Sequence, residues 1–154
     1  MNFVKCLQLG KECEKTFMRY LVDYPGMISI ELAQWKFKDW DIKMKTKDKE
    51  ITYEVKSDRK SEDTWNCCIE CMYKGEPSWV YASKADYIVY YTWKKWWMQE
   101  RWKLLILLNN IEKEVVSGGD GNRSELYLIK LELLPQLFEE IPELPILQQK
   151  MDGE

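Results

Sequence analysis

Residues 51–60 read ITYEVKSDRK. Ile51, Tyr53 and Val55 have the look of a short buried strand, yet Glu54 and Lys56 interrupt it two residues apart. On a strand, positions i and i+2 point to the same face, so an acid and a base share one side of an otherwise apolar element. A solvated strand with alternating charge would account for them. A chemical role would require a second acid close by in space.

A hairpin can supply that acid. The run DIKMK from Asp41 to Lys45 alternates like a half-buried strand, and TKDKE at 46–50 is polar enough to turn the chain back into ITYEVKS. Antiparallel pairing would then bring Asp41 close to Glu54, since facing side chains on paired strands sit about 5 Å apart. Two carboxylates so placed repel each other unless a cation joins them. An all-oxygen site with open positions suits Mg²⁺, or Mn²⁺, because magnesium takes one or two protein carboxylates and keeps several waters. Lys56 beside such an ion could hold a water or a phosphate oxygen, and crowding by the cation would lower its pKa. That set of groups suits in-line hydrolysis of a phosphodiester. Plainer roles stand beside this one: a strand-start cap for Asp41, a salt bridge for Glu54 and Lys56, a solvated helix position for Glu14.

The rest of the chain narrows the setting. With 154 residues, 45% of them apolar and 32% charged, it is expected to form one soluble domain with a sizeable core. The net charge of −3 is unevenly spread. Residues 1–100 hold 17 Lys+Arg against 16 Asp+Glu, whereas residues 101–154 hold 6 against 10. Six lysines fall between positions 36 and 49, as either a solvated hairpin face or an electrostatic footprint beside a site. The longest apolar run, Leu104–Leu108, is far short of the ~20 residues that span a bilayer, so no membrane partner is expected. The start, MNFVKCLQLGKECEK, has no apolar stretch of secretory type, which places the chain in the cytoplasm. Five cysteines and no histidine fit free thiols better than a zinc site, although Cys68 and Cys71 form a CxxC.

Element by element, the first 22 residues read as an amphipathic helix stopped by Pro25-Gly26. Strands are expected over 27–36, 41–45, 51–57, 66–73, 86–92 and 127–134, with a second major helix over 100–115. Residues 59–65, 74–79 and 117–124 read as loops. GGDG at 118–121 lacks the spacing of a phosphate-binding loop and reads as a turn. The stretch 135–154 is expected to be an acidic, peripheral tail to a domain spanning 1–134.

The order of these motifs resembles the PD-(D/E)xK nuclease superfamily, in particular its small phage-associated and bacterial members. The resemblance covers about residues 9–130 and rests on GKECEKTFMRYLV, KFKDWDIKM, YEVKSDRKSEDTWNCCIE, KGEPSW and SKADYIVYY. It implies an α/β fold, with a restriction-endonuclease-like core of helix–strand–strand–strand–helix–strand and a mixed central sheet flanked by helices. It implies a Mg²⁺-dependent endonuclease acting on DNA, in repair, restriction or phage replication, with a homodimer as a common working form. Asp41 and Glu54 would bind the metal together with the Val55 carbonyl, Lys56 would position the attacking water, and Glu14 would help hold the metal or its waters. Arg59, Lys60, Asn66, Ser83 and Lys84 are expected to contact DNA phosphates. Glu70, on an apolar strand, is either a supporting member of the site or a structural acid with its own partners. Two other readings stay open: a nuclease-fold DNA-binding or assembly protein with weak or no catalysis, and an α/β interaction module in which YEVK is only a charged strand.

The match departs from the family at Trp65 and Trp79, turn contexts where the family usually has glycine. With 8 Trp against 7 Gly in the chain, one explanation is that some of these codons are UGA, read as glycine in the source organism. The other is stacking of indoles on unpaired bases. The run TWKKWW at 92–97 poses the same choice between base stacking and core packing.

Overall fold

The computed structural model describes residues 3–34, 39–58, 61–118 and 120–147. Helix α1 (Phe3–Val22) forms as the spacing predicts and ends where Gly26 takes a positive φ of 78°. It lays Cys13, Phe17 and Leu21 on the sheet, all buried. Burying a side chain the size of Phe17 contributes about 1.5–3 kcal/mol, which is why this face is apolar while Lys11, Lys15 and Arg19 point to water.

Beneath the helix run β1 (Met27–Leu32), β2 (Ile42–Thr46) and β3 (Glu50–Asp58), paired antiparallel in turn. The Thr46 hydroxyl closes the predicted turn on the Lys49 carbonyl, at 3.3 Å. The crossover that follows holds α2 (Ser61–Thr64), β4 (Asn66–Tyr73), β5 (Glu76–Pro77) and α3 (Trp79–Ala82). It delivers β6 (Tyr87–Thr92) parallel to β3, with Glu54 opposite Ile88 and Lys56 opposite Tyr90. This is the expected helix–strand–strand–strand–helix–strand order, in a mixed sheet flanked by helices.

Further elements extend the core. β7 (Lys95–Glu100) returns antiparallel to β6, and β10 (Glu139–Glu140) joins its outer side, so the sheet order is β1-β2-β3-β6-β7-β10. A second sheet runs β5-β4-β9-β8, from β8 (Glu114–Gly118) and β9 (Ser124–Lys130). With α4 (Arg101–Asn110) and α5 (Leu134–Leu137), it covers the face of the main sheet opposite α1, burying Ile69, Ile129, Leu104 and Leu134 against Tyr90 and Trp97. The other core lies between α1 and the sheet. Among the described residues no helix is long and apolar enough to cross a membrane.

The structure corrects two expectations and decides one open choice. The helix expected over 100–115 ends at Asn110, and Glu114, Val115 and Val116 are strand, consistent with the β-branched side chains of the two valines. For TWKKWW the choice falls to core packing at Trp96 and Trp97, buried on strand β7, while Trp93, Lys94 and Lys95 are exposed. The segment expected to be a peripheral tail instead straps the fold. Phe138, Ile141 and Leu144 are buried, and the Pro145 carbonyl accepts from the Trp96 indole at 2.8 Å. Glu139, Glu140 and Glu143 are exposed between those anchors, which gives the stretch its peripheral look in sequence.

Candidate active site

Asp41 stands at the point where β2 stops pairing with β3. Ile42 opposite Tyr53 is the end of the ladder on that side. Asp41 donates its amide to the Tyr53 carbonyl at 2.9 Å, and its own carbonyl accepts from Ala33 at 2.8 Å. Its carboxylate accepts the Val55 amide at 2.8 Å, taking the place of the missing strand partner. A strand residue turns its N–H and C=O to the same edge, so the Val55 carbonyl also faces the Asp41 side.

Alternation then decides what surrounds it. Ile51, Tyr53 and Val55 point into the core under α1. Glu54 and Lys56 take the opposite face, the one Asp41 shares. Glu54 is 5% exposed, and its carboxylate has the Lys56 ammonium at 3.5 Å. Lys56 also lies 5.7 Å from the centre of the Trp79 ring, which is half-buried and stacked on Tyr90. The indole at the start of α3 therefore walls in the lysine from the crossover side.

Burial pushes the Glu54 carboxyl up to about 7; Lys56 pulls it back, and the Asp41 carboxyl, close enough to share a hydrogen bond, adds to the rise. Glu14 on α1 is also raised, first by burial and then by Asp41, with Lys56 and Lys11 opposing. The structure thus brings Glu14, Asp41, Glu54 and Lys56 into one electrostatic neighbourhood. Among the described residues no three acidic, thiol or imidazole side chains converge tightly enough to hold a metal as they stand. Asp41 and Glu54 form a crowded pair, with a strand carbonyl turned to the same edge. Such a donor set, all oxygen and short of compensating positive charge, fits a hard divalent cation that keeps part of its water shell.

The residues expected to contact DNA are placed unevenly. Ser83 is 2% exposed, and its hydroxyl accepts from the Ala85 amide at 3.1 Å and donates to the Asp39 carbonyl at 3.3 Å. It ties the crossover to the loop before Asp41 and is not at the surface. Lys84 is open to solvent and 4.0 Å from the carboxylate of Asp39, two positions before Asp41. Asn66 is half-buried and donates its side-chain amide to the Thr64 carbonyl at 3.0 Å, closing the turn after α2. Arg59 and Lys60 lie outside the described residues. Glu70 is resolved as a structural acid, because the hydroxyls of Ser78 and Ser124 both donate to it.

Two contributors went unnoticed in the sequence. Asp86, in KAD, accepts the Thr52 amide at 2.9 Å and hydroxyl at 3.1 Å, clamping the start of β6 to β3 and so fixing the strand that carries Glu54. A single aspartate before a strand carries no signal for such a long-range partner. Trp79 suggests a recoded glycine or a base-stacking indole from sequence, and neither points to its place against Lys56.

No protein-family model matches the chain, and no curated protein does. Two solved structures have similar backbones. One is a bacterial homing endonuclease, 16% identical, with a TM-score of 0.48 over 78% of this chain and 75% of that one. The other is a Holliday junction resolvase from the archaeal hyperthermophile Archaeoglobus fulgidus, 15% identical, with a TM-score of 0.38 over 88% of this chain and 96% of that one. At those scores the likeness is one of backbone path, and the chemistry has to come from this chain's own residues.

Proposed function

We propose that the chain is a Mg²⁺-dependent endonuclease, with Mn²⁺ as a substitute, that hydrolyses DNA phosphodiester bonds. The observation that carries this reading is the Asp41–Glu54 carboxyl pair with the Lys56 ammonium 3.5 Å from Glu54. DNA as the substrate is what the motif resemblance implies. Asp41, Glu54 and the Val55 carbonyl would hold the ion, and Glu14 would reach it through water. The ion, when bound, supplies a Lewis acid for the phosphate and lowers the pKa of water.

The chain's own groups do the rest. The Val55 amide, donating to Asp41 at 2.8 Å, holds that carboxylate in one orientation. Lys56, walled by Trp79 on one side and drawn to Glu54 on the other, is held where it can orient a water or neutralise a phosphate oxygen. Raised acids at Glu54 and Glu14 are what two crowded, half-desolvated carboxyls should show before a cation relieves them.

The experiment is a plasmid-nicking assay with and without Mg²⁺, comparing wild type with Asp41→Ala and Lys56→Ala. Metal-dependent nicking lost in both variants supports the proposal. Salt-dependent DNA binding without nicking selects a binding or assembly role instead. Running junction, duplex and single-stranded DNA in parallel identifies the substrate form.

A further inference from the structure

Two indoles stand outside both cores, at the end of the sheet toward which β3 runs. Trp65, between α2 and β4, is 64% exposed, and Trp93, in the turn between β6 and β7, is 37% exposed. Their ring centres are 5.8 Å apart and their planes meet at 56°. That tilt leaves no slot for a third ring between them, so Trp93 backs Trp65 and the outer face of Trp65 stays open. The pair is fixed in place. Trp65 donates its amide to the Ser61 carbonyl at 3.0 Å, and its own carbonyl accepts from the Leu131 amide at 3.2 Å. The buried Ser61 hydroxyl accepts from the Thr92 hydroxyl at 2.7 Å and from the Trp93 amide at 3.1 Å. These bonds hold Trp65 at φ +60° and Trp93 at φ +51°, a strained backbone for any residue but glycine. Packing in a core could offset such strain, but neither ring is in one.

Position and charge link the pair to the acid site. Lys56 lies opposite Tyr90 and Asp58 opposite Thr92, so the indoles begin about 7 Å beyond Lys56 along β3. Thr92 follows Tyr90 by two residues, on the face that carries Glu54 and Lys56. Lys94 is exposed and has no ion-pair partner among the described residues. Lys95 lies 5.3 Å from the centre of the Trp93 ring and 3.6 Å from the Glu140 carboxylate. Asp63 is the exposed acid on the Trp65 side.

We propose that Trp65, backed by Trp93, stacks an unpaired base of the DNA cut at the acid pair, with Lys94 on a neighbouring phosphate. The preferred substrate is then DNA with unpaired nucleotides beside the cleavage point, rather than continuous duplex. A base inside a duplex has both faces covered by its neighbours, whereas an unpaired base offers a face to an exposed indole. The proposal rests on the nuclease reading for DNA as the partner, and adds the form of that DNA.

Fluorescence anisotropy tests it with a labelled duplex carrying a short unpaired flap and the same duplex fully paired, in EDTA so that nothing is cut. The flap should bind at least about 5-fold more tightly than the paired duplex. Trp65→Gly relieves the backbone while removing the ring, so it should lose that margin without losing stability or duplex binding. Trp65→Phe keeps an aromatic face and should retain most of the margin. Lys94→Gln should lower the salt slope of flap binding by about 0.7–0.9, one phosphate contact. Equal affinity of wild type for the two forms overturns the proposal. So does a margin that survives Trp65→Gly, or one that Trp65→Phe loses as fully. A UGA at codon 65, in a source that reads it as glycine, overturns it too, because the natural chain then has no indole there. Nicking is scored separately. Duplex cleavage without a flap margin sinks this proposal and leaves the nuclease reading standing, whereas a Trp65-dependent margin without nicking supports the stacking site and removes the nuclease.

Discussion

Glu54 and Glu70 occupy matching positions, each on a strand with apolar residues on both sides, and the fold treats them in opposite ways. In the smaller sheet, Glu70 receives the hydroxyls of Ser78 and Ser124, one from the approach to α3 and one from β9. Neutral donors satisfy both oxygens and nothing more is needed. In the main sheet, Glu54 is nearly as enclosed as any core residue, yet its neighbours are a second carboxyl and a lysine. One acid is closed by hydrogen bonds, whereas the other is left in a conflict that an added cation would resolve. Burial alone does not separate a structural acid from a chemical one; the identity of the partners does.

The comparison can be broken most directly through cleavage. Lys56→Ala should slow Mg²⁺-dependent nicking by about 10²–10⁴-fold, and Asp41→Ala should bring it to background, whereas Glu70→Ala should retain it in whatever fraction stays folded. Equal losses in all three would mean that the two acids do not differ in kind.

Stability should show the reverse pattern. Glu70→Ala leaves two hydroxyls without their acceptor and should cost about 1–3 kcal/mol in chemical denaturation. Glu54→Gln should be neutral or stabilising without metal at pH 8, since it removes a charge that burial disfavours. A large loss for Glu54→Gln would show that the Lys56 contact is structural.

The pH dependence sharpens the contrast further. Glu54 titrates higher in the folded chain, about 7, than its ordinary 4.5. Between those values the native state holds a proton that the unfolded state has released, so stability is greatest at the acid end and falls as pH rises through 7. Glu14 shifts in the same direction and adds to the fall. Thermal melts from pH 5 to 8 should therefore decline in metal-free buffer, and Mg²⁺ should restore more stability at pH 8 than at pH 5. A melt curve insensitive to both pH and Mg²⁺ would remove the electrostatic basis of the site.

The smallest effect concerns the tryptophans. Trp65 has φ +60° and is 64% exposed, a conformation that costs a non-glycine residue on the order of 1 kcal/mol. Trp65→Gly should recover about that much in urea denaturation. Trp79 has no positive φ and packs on Tyr90, so Trp79→Gly should destabilise the chain and loosen Lys56. Trp93 at φ +51° shares the strain of Trp65 and touches its ring. Reading codons 65 and 79 in the gene tests the glycine explanation independently: UGG at both would end it.

Much of the site was legible because it is local. The thirteen positions from Asp41 to Glu54, the polar turn between them and the period-two alternation suffice to put both carboxyls on one face of one hairpin. α1 and its stop at Pro25-Gly26 follow from spacing in the same way. Ser83, by contrast, looked like a loop residue free to meet phosphate, because nothing nearby in sequence announces the Asp39 carbonyl, 44 positions away, that buries it.

What the sequence determined by itself, then, is the hairpin with its two acids and lysine, since turn chemistry and alternation act over a few residues. Only the tertiary structure decided that β6 pairs parallel to β3 under the Asp86 clamp, that Trp79 lies against Lys56, and that residues 138–147 close the core. Those contacts join segments separated by dozens of residues, and their free energy comes from burial that no local pattern records.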